Sequence, residues 1–180
     1  MVSQEPLRKL PEHSGSEEEH LITLAQQGDR HAFARLYRIH HGRVYALCLR
    51  LCGAPQPAED ACQEVFVRVW QRLPQFRFEA QFSSWLHRLT VNLALDQARK
   101  AHWWQRLLPL GQQPEPLTEL GEPSPLDRLL PNLPTRPRQV FVLFAIEGYQ
   151  HKEIAHLLRI SEGASKAHYH RARQQLKELL

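Results

Sequence analysis

The sequence predicts an all-α fold in two small helical domains joined by a proline-rich linker. Three observations predict it. Apolar residues recur at spacings of three and four through most of the 180 residues, and no stretch alternates as a half-buried strand would. Seven prolines and two glycines fall between residues 103 and 135, a density that cannot sustain helices. The chain closes on two short helical segments around a polar turn, the pattern of a helix-turn-helix.

Each element follows in order. Residues 1–16 are polar, hold Pro6, Pro11 and Gly15, and read as a mobile tail. From Glu17 the pattern turns helical, with Leu21, Ile22, Leu24 and Ala25 on one side and Gly28 as its end. Asp29 is a good N-cap for the next helix. There Phe33, Leu36, Tyr37, His40, Val44, Leu47, Cys48 and Leu51 form the inward stripe. Gly53-Ala54-Pro55-Gln56-Pro57 breaks it, and a helix restarts near Pro57, since proline suits a first helical position. Its buried stripe is Ala58, Ala61, Cys62, Val65, Phe66, Val69 and Leu73, and Pro74 stops it. An aromatic loop runs from Phe76 to Phe82, with Phe76, Phe82 and Trp85 as core candidates. Ser83 or Ser84 caps a long helix through about Ala101, with Leu86, Leu89, Leu93, Ala94 and Ala98 inward.

The linker spans 103–125, with a turn of helix at Leu126–Leu130. Helix resumes at Arg136, with Val140, Phe141, Leu143, Phe144 and Ile146 inward, and Gly148 ends it. In the helix-turn-helix, Ile154, Leu157 and Leu158 are apolar at helical spacing. Ala155 is small where two helices must cross, and Ser161 suits the N-cap of the second helix. That helix is basic and reads as exposed, the kind that fits a major groove. The domains are therefore 17–102 and 126–180.

Charge supports two anion-facing surfaces. Residues 29–102 hold 11 basic against 6 acidic side chains, and 133–180 hold 8 against 4. The stretches before and between them are acidic. Two cationic blocks suggest two contacts with a polyanion. No apolar run reaches the roughly 20 residues of a membrane span, and the first twenty residues lack a signal-peptide core. Three cysteines are too few for a disulfide framework. The reading is a reduced, soluble, cytoplasmic protein. His151 with His156, and His168 with His170, lack the i,i+4 spacing of two ligands on one helix face. Cys48 and Cys52 have it, but Cys48 and Cys62 fall on apolar stripes and read as core thiols. His40, His41, His87 and His102 read as surface or boundary residues. No metal or cofactor is expected. No phosphate loop, nucleophile elbow or paired-carboxylate site is visible, which argues against an enzyme.

The order of motifs resembles the extracytoplasmic-function (ECF) sigma factors of the sigma-70 family. Gly28-Asp29-Arg30-His31-Ala32-Phe33, Leu36-Tyr37 and Val44-Tyr45 resemble the first conserved segment of that family's second region. Ala58-Glu59-Asp60-Ala61-Cys62-Gln63-Glu64-Val65-Phe66-Val67-Arg68-Val69-Trp70 is similar to its most characteristic stretch. Phe82-Ser83-Ser84-Trp85-Leu86-His87-Arg88 and Asn92-Leu93-Ala94-Leu95-Asp96 resemble its promoter-facing helix. Leu133-Pro134, Arg138, Val140-Phe141 and the helix-turn-helix resemble its fourth region.

The resemblance implies a protein that binds core RNA polymerase, brings it to promoter DNA and helps open the duplex. Residues 17–102 would engage polymerase and the minus-ten element, and 126–180 the minus-thirty-five element. Members of the group are often held inactive by an anti-sigma factor. Asp60, Gln63, Glu64, Val67 and Gln71 share an outward face that would meet polymerase. The bland alternative is a solvated face whose acids favour the helix N-terminus. Phe78, Gln81 and Ser83 are candidates for a base pocket, with Arg77 for phosphate. Arg88, Asn92, Arg99 and Lys100 can share the DNA-facing side of the long helix; the alternative for Lys100 is a helical pair with Asp96. Glu162, Ser165, Lys166 and His170 are the candidate upstream readers, with Arg171 and Arg173 gripping phosphate. The linker acids Glu115, Glu119 and Glu122 fit an acidic strand in a basic channel or a plain spacer.

The reading head departs from the family pattern. Arg159 stands in the turn where glycine is usual, at a cost on the order of 1 kcal/mol if the backbone is left-handed. Ser165 replaces an apolar residue, and Ala164, His168 and Tyr169 also differ. Two other readings stay open: a helix-turn-helix regulator that works without polymerase, and a scaffold whose altered head no longer touches DNA.

Overall fold

The computed structural model describes residues 14–107 and 124–179, and the secondary structure among them is helical throughout. The expected mobile tail and the linker acids fall outside the described residues, apart from the stretch from Ser14. Four helices form the first unit: α1 (Ser14–Gln26), α2 (Arg30–Cys52), α3 (Pro55–Arg72) and α4 (Phe82–Leu107). The second unit has α5 (Pro125–Leu129), α6 (Thr135–Phe141), α7 (His151–Leu158) and α8 (Glu162–Leu179).

Local chemistry sets the helix ends. Asp29 accepts the N–H groups of His31 and Ala32, which caps α2 as its side chain predicts. Gly53 closes α2 at φ 77°, a left-handed position that favours glycine. α3 begins at Pro55, two residues before the expected Pro57, because Pro55 already suits the first helical turn. Neither Ser83 nor Ser84 caps α4. Both lie in its first turn, and the Gln81 carbonyl accepts from Ser84 and Trp85. α4 also runs past Ala101 to Leu107, since no proline lies between Pro74 and Pro109.

The stripe on α3 is buried as expected, from Ala58 through Leu73. It meets Leu36, Val44, Leu47 and Leu51 of α2 and Leu86, Val91, Ala94 and Leu95 of α4. Each fully buried apolar side chain contributes on the order of 1.5–3 kcal/mol. The three thiols sit in this core without disulfides. Burial pushes Cys62 up to about 11, Cys52 up to about 12 and Cys48 beyond. Two α2 assignments are corrected. Tyr37 is exposed, because it stands at the edge of the stripe. His40 is buried, as its place on the stripe predicts and unlike the surface or boundary residue that its polarity suggested: its Nε2 lies 2.8 Å from Glu18 of α1, so the ring keeps a polar partner inside.

In the second unit Leu130, Leu133, Val140, Val142, Leu143, Ile154 and Leu158 are buried, with Ala172 and Leu176 of α8 against them. One π-helical turn, Val142–Ile146, follows α6. Val142, which the sequence reading did not select, is buried one turn after buried Arg138. Ser161 caps α8 by accepting the Ala164 N–H at 3.0 Å. Arg159 is left-handed, at φ 54° and ψ 49°.

The two units touch. Arg50 of α2 forms a two-point ion pair with Asp127 of α5, at 2.7 and 3.2 Å. Arg138 of α6 reaches the Cys52 carbonyl at the end of α2, at 2.8 Å. The linker is therefore not the only connection between the two units. The closing helix α8 nevertheless keeps one whole side exposed.

Candidate functional site

The outward side of α3 carries the first site. Asp60, Gln63, Val67 and Gln71 are exposed. Glu64 is half-buried, and its carboxylate takes Arg68 Nε at 2.6 Å. Asp60 accepts Gln56 on one oxygen and Gln97 of α4 on the other, both at 3.3 Å. These bonds orient the acid on the seam between α3 and α4 and leave it accessible. Beside Val67 stand two aromatic residues that sequence reasoning missed. Trp70 is exposed and meets Phe33 edge-on at 4.9 Å between centroids. Tyr37 is exposed over Phe66 at 4.5 Å. The signal was present in Trp70, which lies one residue off the α3 stripe and so points away from the core. Exposed apolar side chains beside acids form an interface of mixed character, with a desolvating patch and a charged edge.

The second site is the loop before α4. Gln26 of α1 donates to the carbonyls of Leu73 and Phe76, at 2.9 and 2.7 Å, and anchors the loop's start. Phe76, Phe82 and Trp85 then pack ring against ring, with centroids 5.4–5.7 Å apart. Phe82 is buried in the core, while Phe76 and Trp85 are half-buried and pack against it. Phe78 stands differently: it is exposed, at a left-handed φ of 58°, and edge-on to Phe76 at 5.0 Å. A strained backbone of this kind costs of order 1–3 kcal/mol and marks functional loops.

Next to Phe78 lies a cavity of about 430 Å³, lined by Glu18, Glu19, Ile22, Phe78, Ala80, Gln81, Phe82 and Ser83. The structure thus gathers Phe78, Gln81 and Ser83 around one hollow. Arg77 is exposed but does not line it. Glu18 and Glu19 were not foreseen, because their helix is far away in sequence.

Along α4, Arg88, Asn92, Arg99 and Lys100 are all exposed. At 100° per residue, Arg88, Asn92 and Arg99 fall within about 40° of one another, and Lys100 stands to the side. Asn92 donates back to the Arg88 carbonyl at 2.9 Å. Asp96 pairs with Arg99, not with Lys100, because the i,i+3 geometry brings the longer guanidinium onto the carboxylate.

The third site is the exposed side of α8. Glu162 and Lys166 pair at 2.8 Å, and Lys166 holds the Glu162 carboxyl below its usual range. His170, Arg171 and Arg173 are exposed, and Arg173 lies over the Tyr169 ring at 5.9 Å. Ser165 does not belong to this set. It is fully buried, and its hydroxyl meets His151 Nδ1 at 2.9 Å. Tyr169 is half-buried between Phe141 and Phe144, and Phe144 stacks on His151 at 4.3 Å. The unusual residues of the reading head therefore pack against one another, with a polar pair where an apolar contact was expected.

Among the described residues no group of three or more His, Cys, Asp or Glu is placed to hold a metal ion.

Residues 36–104 match the family model for sigma-70 region 2, and residues 124–176 match that for sigma-70 region 4. The chain is 32% identical over 170 residues to the ECF RNA polymerase sigma factor SigM of Mycobacterium tuberculosis, covering 93% of this chain and 86% of the relative. It is 30% identical over 176 residues to SigW of Bacillus subtilis, an ECF RNA polymerase sigma factor, covering 88% and 94%. Among solved structures it resembles CnrH in complex with the cytosolic domain of CnrY, with 28% identity, a TM-score of 0.50, and 91% and 96% of the two chains covered.

Proposed function

The chain belongs to the sigma-70 family, in its extracytoplasmic-function group, and we propose from that premise which of its surfaces do a sigma factor's work. The protein is a transcription initiation factor: it binds core RNA polymerase, directs it to promoters and assists their opening. In this reading it does no bond chemistry itself and works in the cytoplasm alongside polymerase. No helix among the described residues is long and apolar enough to cross a membrane.

We assign polymerase binding to the α3 face. Asp60, Gln63, Glu64 and Gln71 supply acceptors for a basic partner helix, and Val67 supplies apolar contact. Charge sets orientation and on-rate, while the buried apolar patch slows release. Trp70 and Tyr37 extend that patch.

We assign the minus-ten element to the first unit, residues 17–102 with α4 continuing to Leu107, and the minus-thirty-five element to 126–180. Opening a duplex requires a place for an unstacked base, and extrusion costs a few kcal/mol. Stacking on an aromatic face returns roughly 1–3 kcal/mol per base. Phe78 offers the face, with Gln81 and Ser83 at the rim and Arg77 for phosphate. Arg88, Arg99 and Lys100 hold the backbone along α4, and Asn92 reads a base edge. On α8, Glu162, Lys166 and His170 face the upstream element, with Arg171 and Arg173 on phosphate. The observation that carries this reading is the hollow beside Phe78, at the head of a cationic helix, on the same chain as an exposed α8.

By its likeness to CnrH, which was solved with the cytosolic domain of CnrY, we expect an anti-sigma factor to bind this chain.

The test is in-vitro transcription with purified core polymerase, beside a direct core-binding assay. Wild-type protein should bind core and initiate from its promoter. Asp60→Ala with Glu64→Ala should weaken core binding by about tenfold or more, without loss of helix content. Wild-type protein that ignores core yet binds duplex tightly alone would favour the polymerase-independent regulator instead.

A further inference from the structure

The hollow beside Phe78 has an acidic wall that its neighbours in sequence do not supply. Glu18 and Ile22 stand one turn apart on α1 and share the side that faces it. Ile22 is buried and gives an apolar floor together with Phe82. Glu18 is held in place. A carboxylate only accepts, so His40 Nε2 donates to Glu18 Oε1, at 2.8 Å. His40 is itself fixed: it is buried and edge-on to Phe82, with centroids 5.3 Å apart. That bond engages one carboxylate oxygen and not the other.

An acid at a nucleic-acid site constrains what can enter. It repels phosphate, and Arg77, the nearest candidate for phosphate, does not line the hollow. A nucleotide therefore presents its base to the hollow and keeps its backbone outside. The base lies against Phe78, and its edge meets an acceptor on Glu18 and the carboxamide of Gln81. Cytosine and adenine suit that pair. Each has an exocyclic amino group to donate and a ring nitrogen beside it to accept from Gln81. Thymine and guanine put a keto oxygen where the amino group would be, so acceptor meets acceptor and stays unpaired. Guanine also has two adjacent donors, which match both oxygens of a free carboxylate. Here His40 already occupies one.

Resting on the sigma-factor reading and the base pocket above, we propose that Glu18, positioned by His40, makes this hollow select an amino-bearing base, cytosine or adenine, over thymine and guanine. Glu18 is the specificity-determining residue, and Phe78 supplies stacking that is indifferent to base identity.

The test uses the full chain with purified core polymerase and promoter templates randomised across the downstream element. Sequencing of the templates that initiate gives the base preference at each position. Phe78→Ala marks the position that the hollow reads, because preference there should flatten. At that position wild type should favour cytosine or adenine over thymine by about tenfold or more, and the more enriched of the two identifies the occupant. Glu18→Gln keeps the shape and can still accept from His40, but it turns an N–H toward the base. Use of thymine and guanine should rise about tenfold there, with the other positions unchanged. Glu18→Ala should flatten the same position. Glu17→Gln removes the same charge from an exposed residue outside the hollow and should keep the wild-type preference.

Preference retained at the other positions shows that each variant is folded. Wild-type preference in Glu18→Gln overturns the proposal, as does a wild-type choice of thymine or guanine at the Phe78-dependent position. The same shift in Glu17→Gln overturns it too, since a diffuse charge effect would then suffice. Loss of every position in both Glu18 variants assigns the residue to the fold alone and also overturns it. If Phe78→Ala flattens no position, the base pocket itself fails. If wild type with core enriches no downstream element at all, the sigma-factor reading fails.

Discussion

At the scale of single residues, three side chains explain how an irregular reading head stays ordered. Ser165 occupies a position where an apolar contact is usual, but its hydroxyl meets His151 Nδ1 inside the unit. His151 is in turn covered by the Phe144 ring. Removing one partner of a buried hydrogen bond strands the other, which costs about 1–3 kcal/mol. Ser165→Ala should therefore lower the unfolding temperature of the protein by several degrees, read by calorimetry, and leave its promoter-sequence preference unchanged. A base reader would do the opposite. Arg159 adopts the left-handed conformation for which glycine is usual in such a turn. Its neighbours accept the strain because Ile160 still bonds to the Ala155 carbonyl at 3.0 Å.

At the scale of elements, periodicity predicted α3 better than α2. α3 presents one stripe to one core, and every residue named for that stripe is buried. α2 touches α1, α3, α4 and the second unit, so its sides do not divide cleanly into inside and outside. That is why Tyr37, placed inward, is exposed, and why His40, on the stripe yet also read as a surface or boundary residue, is buried. The loop before α4 was legible as aromatic, with Phe76, Phe82 and Trp85 against the core. Its hollow was not, because Glu18 and Glu19 come from α1, some 60 residues earlier. On α3 the exposed apolar side chain amid acids predicts a contact. Val67→Glu should reduce affinity for core polymerase by about ten- to a hundredfold, mainly through faster dissociation in a surface-binding experiment. Thermal stability should change little, because Val67 is already half in solvent.

At the scale of the whole molecule, the docked units should respond to acid. Arg50 and the Ser124 hydroxyl hold the Asp127 carboxyl below its usual range. A lowered folded pKa means that the stabilisation is fully present above the ordinary carboxylate value near 4 and is lost as pH falls through the lower, folded value. The distance between spin labels on α2 and α8 should therefore be constant from neutral pH to about 5 and lengthen below about 4, while helix content persists to lower pH. An unchanged distance through that range would mean that the pair contributes nothing to docking.

The sequence by itself determined the fold class, the family, the helix caps at Asp29 and Ser161 and the outward side of α3. Each is written in contacts between residues a few positions apart, where helix geometry leaves little choice. Tertiary structure alone decided that Ser165 is buried, that His40 meets Glu18, and that Arg138 inserts beside Gly53. Those outcomes depend on which distant side chains share a space and on whether a polar group finds a partner there. Neither is encoded in spacing along the chain.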